Sequence, residues 1–125
     1  MKQRVHSDQA PRALGPYSQA VVAGGFVFCA GQLGLDPETG QLAEGIQAQT
    51  RRALLNLKAV LEAAGSDLSQ VVKTTVFLAD MADFKAMNEV YGELIGEPYP
   101  ARSTVAVKSL PMGGLVEIEA VAIRG

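Results

Sequence analysis

The sequence has one cysteine, one histidine and no tryptophan, and each scarcity removes a class of protein. Cys29 alone closes no intramolecular disulfide, so a disulfide-stapled scaffold is excluded. His6 lies in an N-terminal segment without a second ligand type nearby, and nothing in the chain has metal-ligand spacing. No serine elbow, phosphate loop or dinucleotide fingerprint is present either, so neither a metal nor an organic cofactor is expected. Long hydrophobic runs are missing as well. The longest, AVVAGGFVFCAG at 20–31, is interrupted by Gly24-Gly25 and falls well short of the roughly 20 residues needed to cross a bilayer. The first fifteen residues hold no apolar run that would serve as the core of a signal peptide. No membrane partner and a cytoplasmic location are therefore expected.

An excess of either charge is also lacking. Eleven Lys and Arg against thirteen Asp and Glu leave a net charge of -2, with the cations scattered, so no electrostatic footprint for a nucleic-acid backbone appears. With 125 residues, 48% hydrophobic and 19% charged, the chain has the length and composition of one soluble domain, expected over 1–125.

The elements follow from pattern. Two β-rich runs, SQAVVA and FVFCAG, flank Gly24-Gly25, a strong hairpin signal because glycine accepts positive φ without steric cost. LDPETGQL, with Asp-Pro and Thr-Gly, reads as an exposed loop. Ile46, Ala53, Leu54, Leu57, Val60, Leu61 and Ala64 form one helical stripe from about Gly45 to Ala64, with Gly65 as the stop. VVKTTVFLA at 71–79 is β-branched and reads as a strand. A second helix starts near Asp80 or Asp83, either of which is a suitable cap, and aligns Phe84, Met87, Tyr91, Leu94 and Ile95 before Gly96. ARSTVAV and VEIEAVAI supply two more strands, and a short one is possible at 2–5. The result is an α+β chain with one sheet. Two helices cover one sheet face, yet FVFCA and VVKTTVFL offer apolar residues on both, so self-association over the second face is expected.

Some polar residues stand in apolar company. Arg102 occurs near the start of the strand that leaves PYP, sharing a face with Thr104. Asn88 sits on or beside the second helix's apolar stripe, a place where its amide either meets water or needs a partner. In the last strand Glu117 and Glu119 precede Val121 and Ile123 on one face. Solvation explains such glutamates, and so does proton exchange with a substrate at a site that favours the neutral acid. Tyr17, after Gly-Pro, is by itself uninformative. An arginine, a carboxylate, an asparagine and a tyrosine together suit a pocket for a small carboxylate.

GPYSQAV, CAGQLGLDPETGQL, the segment from VVKTTVFLAD to PYPARSTVAV, and VEIEAVAI occur in an order and spacing that closely resembles the YjgF/RidA family of enamine/imine deaminases, from about Pro11 to Arg124. The resemblance implies a chorismate-mutase-like fold, one mixed sheet with two helices on one face, in a homotrimeric barrel with pockets between subunits. It also implies cofactor-free hydrolysis of 2-imino acids, such as 2-iminobutanoate and 2-iminopropanoate, to 2-oxo acids and ammonia. Carried over by position, Arg102 pairs with the substrate carboxylate and Glu117, rather than Glu119, handles the proton of the attacking water. Tyr17 and Asn88 shape and polarise the pocket, and the backbone at Gly31 and Thr104 reaches the ligand. Ala30, where many of these deaminases have serine, and Thr104, where several have cysteine, depart from the pattern. Other readings of the same sequence are a non-catalytic binder of 2-oxo acids, which needs Arg102 but not Glu117, and a chaperone-like or RNA-acting protein. A chorismate mutase would need several cations around a dicarboxylate.

Overall fold

A computed structural model describes residues 1–125. Gly24 and Gly25 take φ of 58° and 82°, and the resulting tight turn pairs β2 (Ala20–Ala23) with β3 (Phe26–Leu33) in antiparallel register, Val22 against Val27. The short strand β1 (Gln3–Val5) adds to the outer side of β2. β3 pairs with β6 (Val116–Ile123), β6 with β4 (Val71–Leu78), and β4 with β5 (Ala101–Ala106). The order is β1-β2-β3-β6-β4-β5, and only β4 and β5 are parallel. A parallel pair requires a crossover, which α2 (Phe84–Ile95) provides; α1 (Ile46–Ala63) connects β3 to β4.

Both helices lie on one face of this mixed sheet. Leu54, Leu57 and Leu61 of α1 and Met87 of α2 are fully buried against Val27, Val76, Leu78, Val116 and Ile118. Alternation along β6 puts Val116, Ile118, Ala120 and Ala122 into that core and turns the residues between them to the opposite face. Cys29 belongs to the covered face, where burial pushes its thiol up to about 12, so it remains an un-ionised, apolar filler.

Boundaries differ from the sequence expectation in instructive places. β3 does not stop at Gly31: the pairing shifts between Cys29–Ala120 and Gln32–Ile118, a bulge that lets the strand run on to Leu33. Asp80 caps a short 3₁₀ turn (Met81–Asp83), accepting from the Ala82 N–H at 2.9 Å, and Asp83 makes no side-chain cap for α2. The loop after β3 is exposed at its tip, where the Asp36 carboxylate accepts from the Glu38 and Thr39 N–H groups. Its base is fixed by a residue on the α1 stripe. Asn56, wholly buried, donates to the carbonyls of Leu33 (3.1 Å) and Leu35 (2.9 Å) and accepts from Arg52 Nε (3.1 Å).

The second face has no cover within the chain. Phe28 is 48% exposed, and Phe26 and Ile123, paired beside it on β3 and β6, and Val105, further along the same face in the row of Phe77 and Glu117, are also exposed. Neither helix is long and apolar enough to cross a membrane.

Asn56→Ala strands two buried carbonyls, and the expected cost is about 2–4 kcal/mol, read as a lower urea midpoint with an unchanged slope.

Candidate functional site

Glu117 stands next to the first residue of β6, and three contacts fix it. The Leu115 N–H donates to Gln49 Oε1 at 2.8 Å, while Gln49 Nε2 donates to the Ala43 carbonyl at 3.0 Å, so a buried amide of α1 sets where β6 begins. Glu117 then lies between Leu33 of β3 and Phe77 of β4. The β3 bulge brings Gly31 directly beneath its side chain. A Cβ at position 31 would lie 2.9 Å from both Cγ and Cδ of Glu117, closer than such atoms pack, so the absence of a side chain there is what lets the carboxyl rest on the strand. Burial raises the proton affinity of Glu117 above the ordinary glutamate range, and the negative charge of Glu119 adds to the shift.

Tyr17 reaches the same place from the loop before β2. It is 55% exposed, and its hydroxyl accepts from the Leu14 N–H at 3.3 Å. The loop is held by Gln19, whose Oε1 accepts from the Ser7 N–H (2.7 Å) and whose Nε2 donates to the carbonyls of Ser7 (3.1 Å) and Pro11 (2.8 Å). Tyr17, Gly31 and Glu117 together line a cavity of about 270 Å³.

Arg102 lies elsewhere. It sits on β5 under α2, its guanidinium carbon 4.8 Å from the Tyr91 ring centroid and 5.6 Å from that of Phe84. With Asn88, Tyr99 and Pro100 it lines a separate cavity of about 330 Å³. The chain's three ion pairs, His6–Asp8, Arg51–Glu93 and Lys58–Glu62, leave this guanidinium without an acidic partner. Two buried side-chain oxygens lack a hydrogen-bond partner, Asn88 Oδ1 and Thr104 Oγ1; one shares the Arg102 cavity and the other follows Arg102 on the same face of β5. Unpaired buried acceptors are rare in folded proteins and accumulate where a ligand belongs.

The six residues singled out in the sequence thus fall into two groups. Tyr17, Gly31 and Glu117 converge, as do Arg102, Asn88 and Thr104, but one chain does not join the groups. Two larger cavities, about 620 Å³ between α1 and α2 and about 490 Å³ between the 6–14 and 35–40 segments, hold none of the six. Sequence reasoning missed Gln19, Gln49 and the anchoring of Tyr91, whose hydroxyl is 2.7 Å from Thr74 Oγ1. Gln49 had a legible signal, a polar side chain four residues before Ala53 on a buried stripe.

Sequence and structure comparisons agree with this architecture. The profile of the family described as Endoribonuclease L-PSP matches residues 7–124. A RutC family protein of Pyrococcus horikoshii is 53% identical over 125 residues, spanning 99% of each chain. The human protein named 2-iminobutanoate/2-iminopropanoate deaminase is 46% identical over 122 residues, covering 97% of this chain and 89% of its own. The crystal structure of RidA from an Antarctic Psychrobacter superposes with a TM-score of 0.94 at 50% identity, covering 97% of this chain and 98% of that one. Fold and sequence define the class that includes the reactive intermediate deaminases. The chain belongs to the YjgF/RidA family.

A carboxyl whose pKa is raised on folding binds its proton more tightly in the folded state, so stability falls as pH rises from the ordinary glutamate value through the raised one. Glu117→Gln is accordingly expected to be more stable than the parent at neutral pH, with the advantage vanishing below the ordinary glutamate range. Thermal melts of both proteins across pH check this.

Proposed function

We propose that the protein is a cofactor-free hydrolase converting 2-imino acids, 2-iminobutanoate and 2-iminopropanoate among them, to 2-oxo acids and ammonia. It works as a homotrimer in which the Arg102 group of one copy faces the Glu117 group of its neighbour. The observation that carries the reading is Glu117: a carboxyl laid over Gly31 in a cavity with Tyr17, its proton affinity raised by burial. A binding protein has no need of such a group. A hydrolase does, because a carboxyl that titrates nearer the working pH both accepts and returns a proton.

The chemistry follows from the residues. The substrate carboxylate pairs side-on with the unpartnered Arg102 guanidinium, whose planar fork matches two carboxylate oxygens. Water adds through oxygen to the carbon of the protonated imine while ionised Glu117 takes one of its protons, giving a neutral carbinolamine. Glu117 then delivers its proton to the nitrogen, the C–N bond breaks with its electron pair leaving on ammonia, and the hydroxyl proton passes to that ammonia, which departs as ammonium as the C=O forms. Tyr17 and the Gly31 backbone border the reacting carbon, and Asn88 Oδ1 and Thr104 Oγ1 are free to accept from the ligand or its water. The open apolar face around Phe28 supports the assembly, since self-association buries it. With a net charge of -2, the chain has no surplus cation to hold RNA phosphates.

In an assay coupled to a pyridoxal-phosphate threonine dehydratase, the parent is expected to speed disappearance of the imine. Arg102→Lys should lose most of this activity although the charge remains. Glu117→Gln should lose roughly 10²–10⁴-fold, as for loss of a general base, yet bind 2-oxobutanoate with parent-like affinity in calorimetry. Parent-like hydrolysis by Glu117→Gln would overturn the mechanism.

The shared site has its own test. Mixing Arg102→Lys with Glu117→Gln in equal amounts, through unfolding and reassembly, should restore up to about a quarter of parent activity, the statistical fraction of interfaces with both native halves. No recovery, with light scattering showing mixed trimers, would place each site within a single chain.

A further inference from the structure

The guanidinium of Arg102 is oriented without an acidic partner, and the reason lies in its surroundings. In the parallel register of β4 and β5, Thr74 stands directly beside Arg102, on the same face. Thr74 is 1% exposed, and its Oγ1 is 2.7 Å from the hydroxyl of Tyr91, itself 4% exposed. The Tyr91 ring is therefore held at both ends, through its Cα by α2 and through its oxygen by β4. The ring face meets the guanidinium at 4.8 Å, and Phe84, two helical turns earlier on the same stripe, meets it at 5.6 Å.

An aspartate or glutamate would orient the arginine equally well, but it would occupy the N–H edge and cancel the charge that a carboxylate ligand needs. Aromatic faces attract the cation through their quadrupole and leave the N–H edge free. We propose that Tyr91, pinned by Thr74 and assisted by Phe84, is a positioning residue: an aromatic seat that holds Arg102 ready for the substrate carboxylate. The hydroxyl bond to Thr74 makes the seat rigid. Without it the ring turns about its side-chain torsions and the fork loses its fixed plane. The proposal rests on the function assigned above, in which Arg102 receives the carboxylate.

Its test is a comparison of Tyr91→Leu, Tyr91→Phe and Thr74→Val with the parent, all checked for melting temperature and assembled mass. Tyr91→Leu is expected to raise KM for the imine and Kd for 2-oxobutanoate about tenfold, the scale of one lost cation–π contact, with a smaller change in kcat. In an Arg102→Ala background the same substitution should cause no further loss of kcat/KM, because Tyr91 acts through the arginine. Equal losses in both backgrounds, or a parent-like KM in a folded Tyr91→Leu, would overturn the proposal. Should Tyr91→Leu fail to assemble, Tyr91→Phe and Thr74→Val decide. Each is expected to raise KM by about two- to fivefold as the ring loosens, and a parent-like KM in both overturns the seat.

A parent that neither hydrolyses the imine nor binds 2-oxobutanoate refutes the function rather than the seat, and proton NMR then reads the seat alone. Side-chain protons of Arg102 should be shifted upfield by the rings in the parent and return toward ordinary positions in Tyr91→Leu, or, if that variant fails to fold, move in Tyr91→Phe and Thr74→Val. Absence of the shift in the parent sinks the proposal.

Discussion

Alternate residues of a β-strand point to opposite faces of its sheet, and this period of two governs the molecule. Glu117, Phe77 and Val105 form one row across β6, β4 and β5 and share the open face. Arg102 precedes Val105 by three residues, an odd step, and so points to the helices. No side-chain rotation brings it round the sheet to Glu117. The open face that carries Glu117 is also the face whose Phe28, Val105 and Ile123 remain in water when the chain is alone. On the proposed assembly, hiding that apolar surface and completing the reaction site are a single event, and neither half-site has any reason to persist without the other.

What fixes the Glu117 half-site is a small number of buried polar side chains rather than the apolar core. Gln19 ties the loop that carries Tyr17, Gln49 sets the start of β6, and Asn56 gathers the carbonyls at the end of β3. Each amide offers both donors and an acceptor, so one side chain satisfies several backbone groups that no strand or helix pairs. Apolar contacts make the layers stick together. The amides decide where the loops stop.

Most of the fold was legible because its signals are local. The Gly24-Gly25 turn, the stripe through Leu54, Leu57 and Leu61, and the alternation in VEIEAVAI each follow from neighbouring residues, and the structure bears them out. The bulge at Ala30 and Gly31 was not legible, since it depends on β6 lying alongside and on a carboxyl from position 117 needing the space. Asp80 and Asp83 looked equally good as caps; the choice depended on a short 3₁₀ turn that leaves no sequence trace. The six candidate residues could be named from the resemblance, but their division into two groups could not. That division comes from the pairing of β6, β4 and β5, whose register turns Glu117 with Phe77 to the open face and Arg102 with Thr74 to the helices, and it has no signature in any one segment.

Cys29 acquires a meaning from the proposed chemistry. The carbon of an imine is an electrophile, and a thiolate adds to such carbon readily. The chain's only thiol is walled inside the helix-covered face and keeps its proton until about pH 12. A protein that admits such intermediates thus offers them no exposed thiol of its own.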